Sequence, residues 1–247
     1  MKRYLTLAMI VLLLLPKLTI AQSPFVLKGE ISFPIGIAAL SMFGAERQLN
    51  AKRKMKSVVF IESLTPEQVN KFDRSATHQN SKIARYVSDG MLVTSALLPL
   101  PLMADPKIRK DFGKVALMDV EVFLLNSALT NLVKTAVSRP RPIVYNPEIP
   151  IYQKRAKDNF NSFFSGHTSM ASSQSFFMAT VFTMYNPKNK FLPLVWTAAV
   201  SFPLTMGAMR YKAGKHFWTD ILTGYAVGAI VGAGVPLLHS TKLWDKK

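Results

Sequence analysis

The sequence predicts an all-α protein, arranged as a membrane-embedded bundle of about five to six core helices. Of its 247 residues, 49% are hydrophobic and only 18% are charged, whereas soluble domains usually have about a quarter of their residues charged. Several apolar runs reach or approach the roughly 20 residues that a helix needs to cross a bilayer. Alternation of apolar and polar residues is nearly absent, so strands are not expected.

The first 21 residues are predicted to be a signal peptide. Lys2 and Arg3 form a basic start, an apolar stretch follows, and small residues precede Gln22. An uncleaved anchor helix is the alternative. The signal predicts that the protein lies outside the cytoplasm or in the inner membrane of a bacterial-type cell.

Residues 22–88 are predicted to be an N-terminal polar and basic region with short helices. The apolar stretch at 31–45 is too short to cross a bilayer fully. One short helix is expected to have Thr65 as its N-cap and Pro66 as its first residue. The rest of this region is expected to lie at a membrane surface.

Residues 89–240 are predicted to form the helical core, followed by a basic tail at 241–247. The core contains apolar runs at 90–104, 113–134, 169–185, 191–209 and 221–238. As a helix, the run at 113–134 is about 33 Å long. Its two acidic residues, Asp119 and Glu121, are expected to face the bundle interior or water and to make structural polar contacts.

The charge of the chain favours an anionic ligand. It has 31 Lys and Arg against 14 Asp and Glu, a formal net charge of +17, which suits nucleic acid, anionic lipid or a phosphate-bearing substrate. Neither a recognition helix nor an RNA-binding aromatic motif accompanies this charge, so a nucleic-acid partner is not expected. The chain has no cysteine, which excludes disulfides and thiol nucleophiles.

A basic stretch follows the longest apolar run. Lys134 lies at the end of the predicted helix, and Arg141 lies between Pro140 and Pro142, which favour a rigid, extended backbone. Arginine offers a planar fork for phosphate oxygens and lysine a compact charge. Taken alone, this stretch is better explained as a basic helix end that complements the helix dipole or contacts lipid headgroups.

A second stretch combines a helix start with a histidine. Ser165 is a candidate N-cap, so the backbone amides of Gly166 and His167 would point at a bound anion. Glycine also allows a ligand to approach the backbone closely. Alone, an ordinary cap beside a surface histidine fits these residues as well.

A third stretch contains an arginine, a histidine and an aspartate. Arg210 is another fork donor, and His216 and Asp220 are four residues apart, so on a helix they would share a face. A carboxylate in that position can orient an imidazole for nucleophilic catalysis. An ordinary His–Asp contact is the alternative for this pair taken in isolation.

Together, the three stretches resemble the signature of the type 2 phosphatidic acid phosphatase (PAP2) superfamily. That family includes membrane lipid phosphatases, soluble bacterial acid phosphatases and vanadium haloperoxidases. Its signature is Lys, six residues, Arg-Pro; then Pro-Ser-Gly-His; then Ser-Arg, five residues, His, three residues, Asp. The chain matches this order and spacing over about residues 89–240, with Phe164 in place of the Pro and Met209 in place of the Ser.

The resemblance implies a metal-independent phosphatase of the PAP2/haloperoxidase fold that needs no cofactor. It implies a phosphohistidine intermediate on His216, with Asp220 fixing its tautomer and His167 as the acid and base. The residues that it implies for phosphate binding are Lys134, Arg141, Arg210, Ser165 and Gly166.

The apolar bundle favours a membrane lipid as the substrate and the bilayer as a partner. Phosphatidate, phosphatidylglycerol phosphate, polyprenyl diphosphate and lipid A phosphate all remain open. The active site is expected to face the periplasm from the inner membrane. The alternatives are a soluble periplasmic non-specific acid phosphatase, a vanadium-dependent haloperoxidase on the same fold, and a structural membrane protein whose catalysis is impaired by Phe164 and Met209.

Overall fold

The computed structural model describes residues 23–244, and in that range it is almost entirely helical. It has no strand there, only one isolated antiparallel bridge between Phe25 and Ser240. The all-α prediction is therefore confirmed. The long helices are α1 (Gly29–Lys52), α2 (Lys82–Leu97), α3 (Phe112–Val137), α4 (Gly166–Tyr185), α5 (Leu192–Lys212) and α6 (Trp218–Leu238). The predicted signal peptide and the last three residues of the basic tail lie outside the described residues.

Short helical segments connect the long helices. The short α-helices span Val58–Glu62, Pro106–Lys110, Pro142–Tyr145, Ile151–Lys154 and Thr241–Trp244. The 3₁₀ turns span Pro66–Gln68, Arg74–His78, Leu100–Ala104 and Lys157–Phe160. As predicted, Thr65 is the N-cap and Pro66 the first residue of its helical turn.

Four segments are long and apolar enough to cross a membrane: Lys82–Ala104, Phe112–Tyr145, Leu192–Lys212 and Trp218–Leu238. Large apolar side chains such as Val120, Leu204 and Ile230 are exposed on them. In water such a surface would be unusual, whereas a helix that is apolar on all sides suits a bilayer. These features fit the predicted membrane association.

Helix α4 occupies the centre of the bundle, where it packs against α2, α3, α5 and α6. Its contact with α6 is very close, because a Cβ on Gly224, Gly228 or Gly232 would lie within 2.5 Å of a carbonyl oxygen of α4. Small residues at such a spacing allow two helix backbones to approach in a membrane, where the hydrophobic effect does not drive helices together.

Of the acidic residues of α3, Glu121 is buried in the interior, as expected, whereas Asp119 is only partly buried. Glu121 Oε2 pairs with His239 Nε2 at 2.8 Å, and His239 Nδ1 lies 3.2 Å from the carbonyl oxygen of Val26. Asp119 lines a cavity of about 160 Å³ together with Gln174. Burial alone would lower the pKa of His239, but the hydrogen bond to Glu121 raises it. This contact ties the N-terminal segment to the end of α6.

The helix α1 is longer than the apolar stretch at 31–45 that the sequence singled out. It has 24 residues, because the polar residues that follow the stretch continue the helix. It packs along α3, and its Glu46 Oε1 accepts a hydrogen bond from Thr135 Oγ1 at 2.9 Å. Part of the N-terminal region is therefore packed against the bundle.

Candidate active site

Four helix ends meet at one end of the bundle: the C-termini of α3 and α5 and the N-termini of α4 and α6. Helix α3 stops at Ser138, which has a left-handed backbone with φ 50°. Lys134 lies in its last turn, and the lysine Nζ is 3.3 Å from the place where a Cβ on Gly166 would lie. The first and second sequence stretches are therefore in direct contact.

Arg141 is buried, with 4% of its surface exposed. Its Nε donates to the Asp158 carbonyl oxygen at 2.9 Å and its Nη2 to Asp158 Oδ1 at 3.0 Å. The remaining nitrogen, Nη1, is buried and has no hydrogen-bond partner within residues 23–244. A buried donor without a partner is costly, so this nitrogen marks a place where an acceptor would bind favourably.

The second stretch forms the start of α4, as the sequence predicts. Ser165 is the N-cap, and its Oγ accepts from the Thr168 backbone amide at 3.4 Å. The Ser165 backbone amide donates to the Asp220 carbonyl oxygen at 3.0 Å, which joins this stretch to the third. Phe164, where the signature has Pro, is buried with 2% of its surface exposed.

Arg210 and His167 share a carboxylate that the sequence did not single out. Arg210 Nη1 donates to Asp89 Oδ1 at 2.9 Å and to Ser88 Oγ at 3.1 Å. His167 Nε2 lies 3.1 Å from the same Asp89 oxygen. Arg210 Nε is a second buried guanidinium nitrogen without a partner in the described part of the chain.

His216 lies in the turn before α6 and is fully buried. Its Nδ1 is 2.8 Å from the Ser162 carbonyl oxygen. Because a carbonyl can only accept, this nitrogen carries the proton and Nε2 keeps its lone pair. Burial, together with the positive charges of Arg141, Lys134 and Arg210, lowers the pKa of His216 well below its usual value. The imidazole is therefore neutral at neutral pH.

Asp220 is near His216 but does not hold it in the predicted way. Its Oδ2 is 3.6 Å from His216 Nδ1, and it accepts hydrogen bonds from Ser162 Oγ at 2.5 Å and the Phe217 amide at 2.9 Å. The expectation that His216 and Asp220 share a helical face was wrong, because α6 begins only at Trp218. A backbone carbonyl fixes the tautomer, and the carboxylate lies beside it.

The residues singled out in the three stretches thus come together at one end of the bundle. Three of their buried nitrogens, on Arg141, Arg210 and His216, have no partner among the described residues. Fold and site together define a helix-bundle protein with membrane-spanning character, in which cationic side chains and unpartnered buried nitrogens meet at one end.

Comparison with known families agrees with this class. The PAP2 superfamily matches residues 117–244, slightly more than half of the chain, and the chain belongs to that superfamily. Membership supports phosphatase activity on phosphate esters. No solved structure matches the chain significantly.

Other charged residues near the site escaped the sequence reasoning. Asp89 and Asp158 pair with Arg210 and Arg141 but lie outside the signature, and nothing in their sequence surroundings marks them. Lys215 directly precedes His216, and burial together with the charge of Arg141 lowers its pKa to about 8. Within residues 23–244, no group of three or more His, Asp or Glu could hold a metal ion.

Proposed function

We propose that the protein is a phosphatase that hydrolyses a phosphate ester through a phosphohistidine on His216. The observation that supports this most directly is the His216 imidazole. Its Nε2 is buried, carries a lone pair and has no partner in the described chain. Lys134, Arg141 and Arg210 are close enough for their charges to act on this ring. A nucleophile beside converging cations suits attack on a phosphorus atom.

In the first step, His216 Nε2 attacks phosphorus in line with the leaving group. The N–P bond forms, the P–O bond to the alkoxide breaks, and His167 gives the alkoxide a proton. Because burial and the charge of Arg210 lower the pKa of the unliganded His167 to about 3, the ring takes up this proton only when the phosphate dianion is bound beside it. The three cations neutralise the charge that spreads over the equatorial oxygens. The Gly166 amide, at the N-terminus of α4, adds a hydrogen bond where the helix dipole favours an anion.

In the second step, a water molecule attacks the same phosphorus. His167 takes a proton from this water, the new O–P bond forms, and the N–P bond to His216 breaks. Asp89, which contacts His167, holds this ring in position. Asp220 and the Ser162 carbonyl stabilise the cationic imidazole of the intermediate.

The proposed substrate is a phosphorylated membrane lipid. The site lies where helices of four candidate membrane segments begin or end. A phosphate can reach it there while acyl or prenyl tails remain beside the apolar helices. The candidates are phosphatidate, phosphatidylglycerol phosphate, polyprenyl diphosphate and lipid A phosphate.

We place the protein in a bacterial inner membrane with the site facing the periplasm. Basic residues such as Lys107, Lys110 and Lys190 lie in the turns at the opposite end of the bundle. Short loops rich in Lys and Arg stay in the cytoplasm, but residues 46–88 on the site side are basic as well. We favour this orientation because the cations of the three motif stretches are retained for phosphate rather than for orientation. Reporter fusions at residues 60 and 150 test it, and a cytoplasmic signal at residue 150 would reverse it.

The main experiment compares His216→Ala with His78→Ala in protein purified in detergent. His78 is exposed on a short turn and serves as the matched control. Turnover of lipid phosphates is expected to vanish in the first variant and to remain in the second. Radiolabelled substrate should leave an acid-labile label on His216. With a labelled aryl phosphate, whose leaving group needs no proton, His167→Ala should accumulate that label because only the second step then lacks its base.

Activity is also expected to survive EDTA and to be inhibited by vanadate, which mimics the pentacoordinate phosphorus. Wild-type turnover in His216→Ala would remove the proposed nucleophile. Loss of activity on chelation would replace the proposed chemistry with a metal-dependent one.

A further inference from the structure

A row of charges lies behind His216: the buried carboxylates of Asp73 and Asp220, and between them the partly exposed guanidinium of Arg139. Arg139 Nη2 donates to Asp73 Oδ2 at 2.9 Å, and Arg139 Nη1 donates to Asp220 Oδ1 at 2.5 Å. Both carboxylates are fully buried. One guanidinium therefore bridges two carboxylates, and one of these lies beside the imidazole that we propose as the nucleophile.

The Asp73 carboxylate is held by more than Arg139. Its Oδ1 accepts from the Thr219 amide at 3.0 Å and its Oδ2 from Thr219 Oγ1 at 2.6 Å. Asn70 Nδ2 also donates to it at 3.1 Å. Burial alone would raise the pKa of Asp73, but these hydrogen bonds lower it below its usual value. The carboxylate is therefore ionised at neutral pH.

Asp73 belongs to residues 66–81, which form a cap segment over the site. Val69 and Ala76 of this segment pack against Phe217, the residue after His216. A Cβ on Gly214, whose φ is +65°, would lie 2.1 Å from the Gln79 carbonyl oxygen, so the two backbones touch. The cap segment precedes the region that matches the PAP2 superfamily, residues 117–244.

The net charge of Asp73, Arg139 and Asp220 indicates how Asp73 could act on the His216 imidazole. Arg139 by itself would cancel the charge of Asp220, and the cationic imidazole of a phosphohistidine would then have no net negative charge beside it. With Asp73 present, the row carries one net negative charge. In a buried site such a charge acts more strongly than in water.

We propose that Asp73 is a positioning residue that acts through Arg139, restoring the counter-charge of the His216 imidazole and fixing the Asp220 carboxylate. This rests on the proposed function. A purely structural role, in which Asp73 only anchors the cap segment, is the competing explanation. The two explanations predict different values of kcat for a variant of Asp73 alone and for a variant in which Asp73 and Arg139 are both replaced.

The test uses the full chain in detergent with Asp73→Asn, Arg139→Gln and the double variant. The matched control is Asp105→Asn, because Asp105 lies in a turn at the opposite end and bonds Asn186. Asp73→Asn keeps the shape and removes the charge. Its kcat should fall about tenfold while KM changes less than about twofold, because the charge acts on the transition state rather than on binding.

The double variant separates the two explanations. It removes one negative and one positive charge, so the row again carries one net negative charge on Asp220. Its kcat should therefore exceed that of Asp73→Asn by at least about threefold, a non-additive effect expected of coupled residues. A structural anchor predicts a further loss instead. If Asp73→Asn does not fold, the double variant still keeps the Asp220 carboxylate hydrogen-bonded by Ser162 Oγ and the Phe217 amide. Its kcat should stay within about tenfold of wild type, and a larger loss would overturn the proposal.

A readout without turnover keeps this proposal distinct from the proposed function. In protein labelled with ¹⁵N-histidine, the His216 signals, assigned by their absence in His216→Ala, should shift in Asp73→Asn and not in Asp105→Asn. Absence of turnover in the wild-type protein would refute the proposed function, and the shift would still report the Asp73 effect. An unchanged His216 signal, or a double variant slower than Asp73→Asn, would overturn the role proposed for Asp73.

Discussion

Gly224→Ala is expected to damage the site by pushing α6 away from the start of α4. A Cβ at this position would lie 2.5 Å from the Ser165 carbonyl oxygen and 3.3 Å from the Ser165 nitrogen. The nearest contact is backbone, so no side chain can rotate away. To reach ordinary van der Waals contact at 3.4 Å, α4 and α6 must separate locally by about 0.9 Å.

This separation acts on the residues that we propose to bind the phosphate. The Ser165 amide bonds the Asp220 carbonyl oxygen at 3.0 Å, so moving one helix stretches a contact between two of the motif stretches. A misplacement of about 1 Å can lower a rate by about 100-fold. We therefore expect kcat to fall by about 100-fold, and the overpacked core to lose about 1–3 kcal/mol of stability.

The assay measures kcat and the thermal unfolding midpoint in one detergent for Gly224→Ala and Gly234→Ala. Gly234 lies on the same helix but has nothing within 4 Å of its Cβ position. That control should keep wild-type kcat and gain at most about 1 kcal/mol from the better helix propensity of alanine. Equal kcat in the two variants would refute the claim that this helix contact sets the geometry of the site.

Three other predictions concern separate parts of the molecule. Burial lowers the pKa of Lys215 to about 8, so its positive charge is lost as pH rises through that value. Calorimetry should then show tungstate, which stays a dianion, binding more weakly, and Lys215→Gln should reduce this dependence. His239→Phe should lower the free energy of unfolding by about 3 kcal/mol, because Glu121 stays buried without its partner, while kcat is unchanged. Ser165→Ala should cost about 1 kcal/mol of stability as a lost N-cap and lower kcat about tenfold or more; a wild-type kcat there would contradict a phosphate contact by its hydroxyl.

The helix class and the three stretches could be predicted because each depends on local information. Ser165 caps α4 and Lys134 lies in the last turn of α3, as the sequence indicated, since caps and apolar runs act over a few residues. The His216–Asp220 geometry could not be predicted in this way. Four-residue spacing implies a shared face only inside a helix, and here the helix starts two residues after His216.

The limit of prediction from sequence is clearer for three acidic residues near the site, Asp73, Asp89 and Asp158. Each is an isolated acidic residue whose partner is distant in sequence, as with Asp73 and Arg139. Their contacts depend on which helix ends pack together. Composition and periodicity do not predict such contacts between distant segments. The cap segment was likewise predicted as a membrane-surface region because its polar sequence resembles a solvated one, whereas its contacts with Phe217 and Gly214 arise only on folding.

The sequence by itself determined the helical class and the membrane-spanning character, and it predicted the residues that we propose to bind and attack a phosphate. These follow from hydrophobicity, capping and side-chain chemistry, which are properties of short segments. The tertiary structure alone decided that a carbonyl selects the tautomer of His216 and that Arg139 bridges two buried carboxylates. Hydrogen bonds and buried charges act over a few ångströms, so their partners are set only when distant segments pack together.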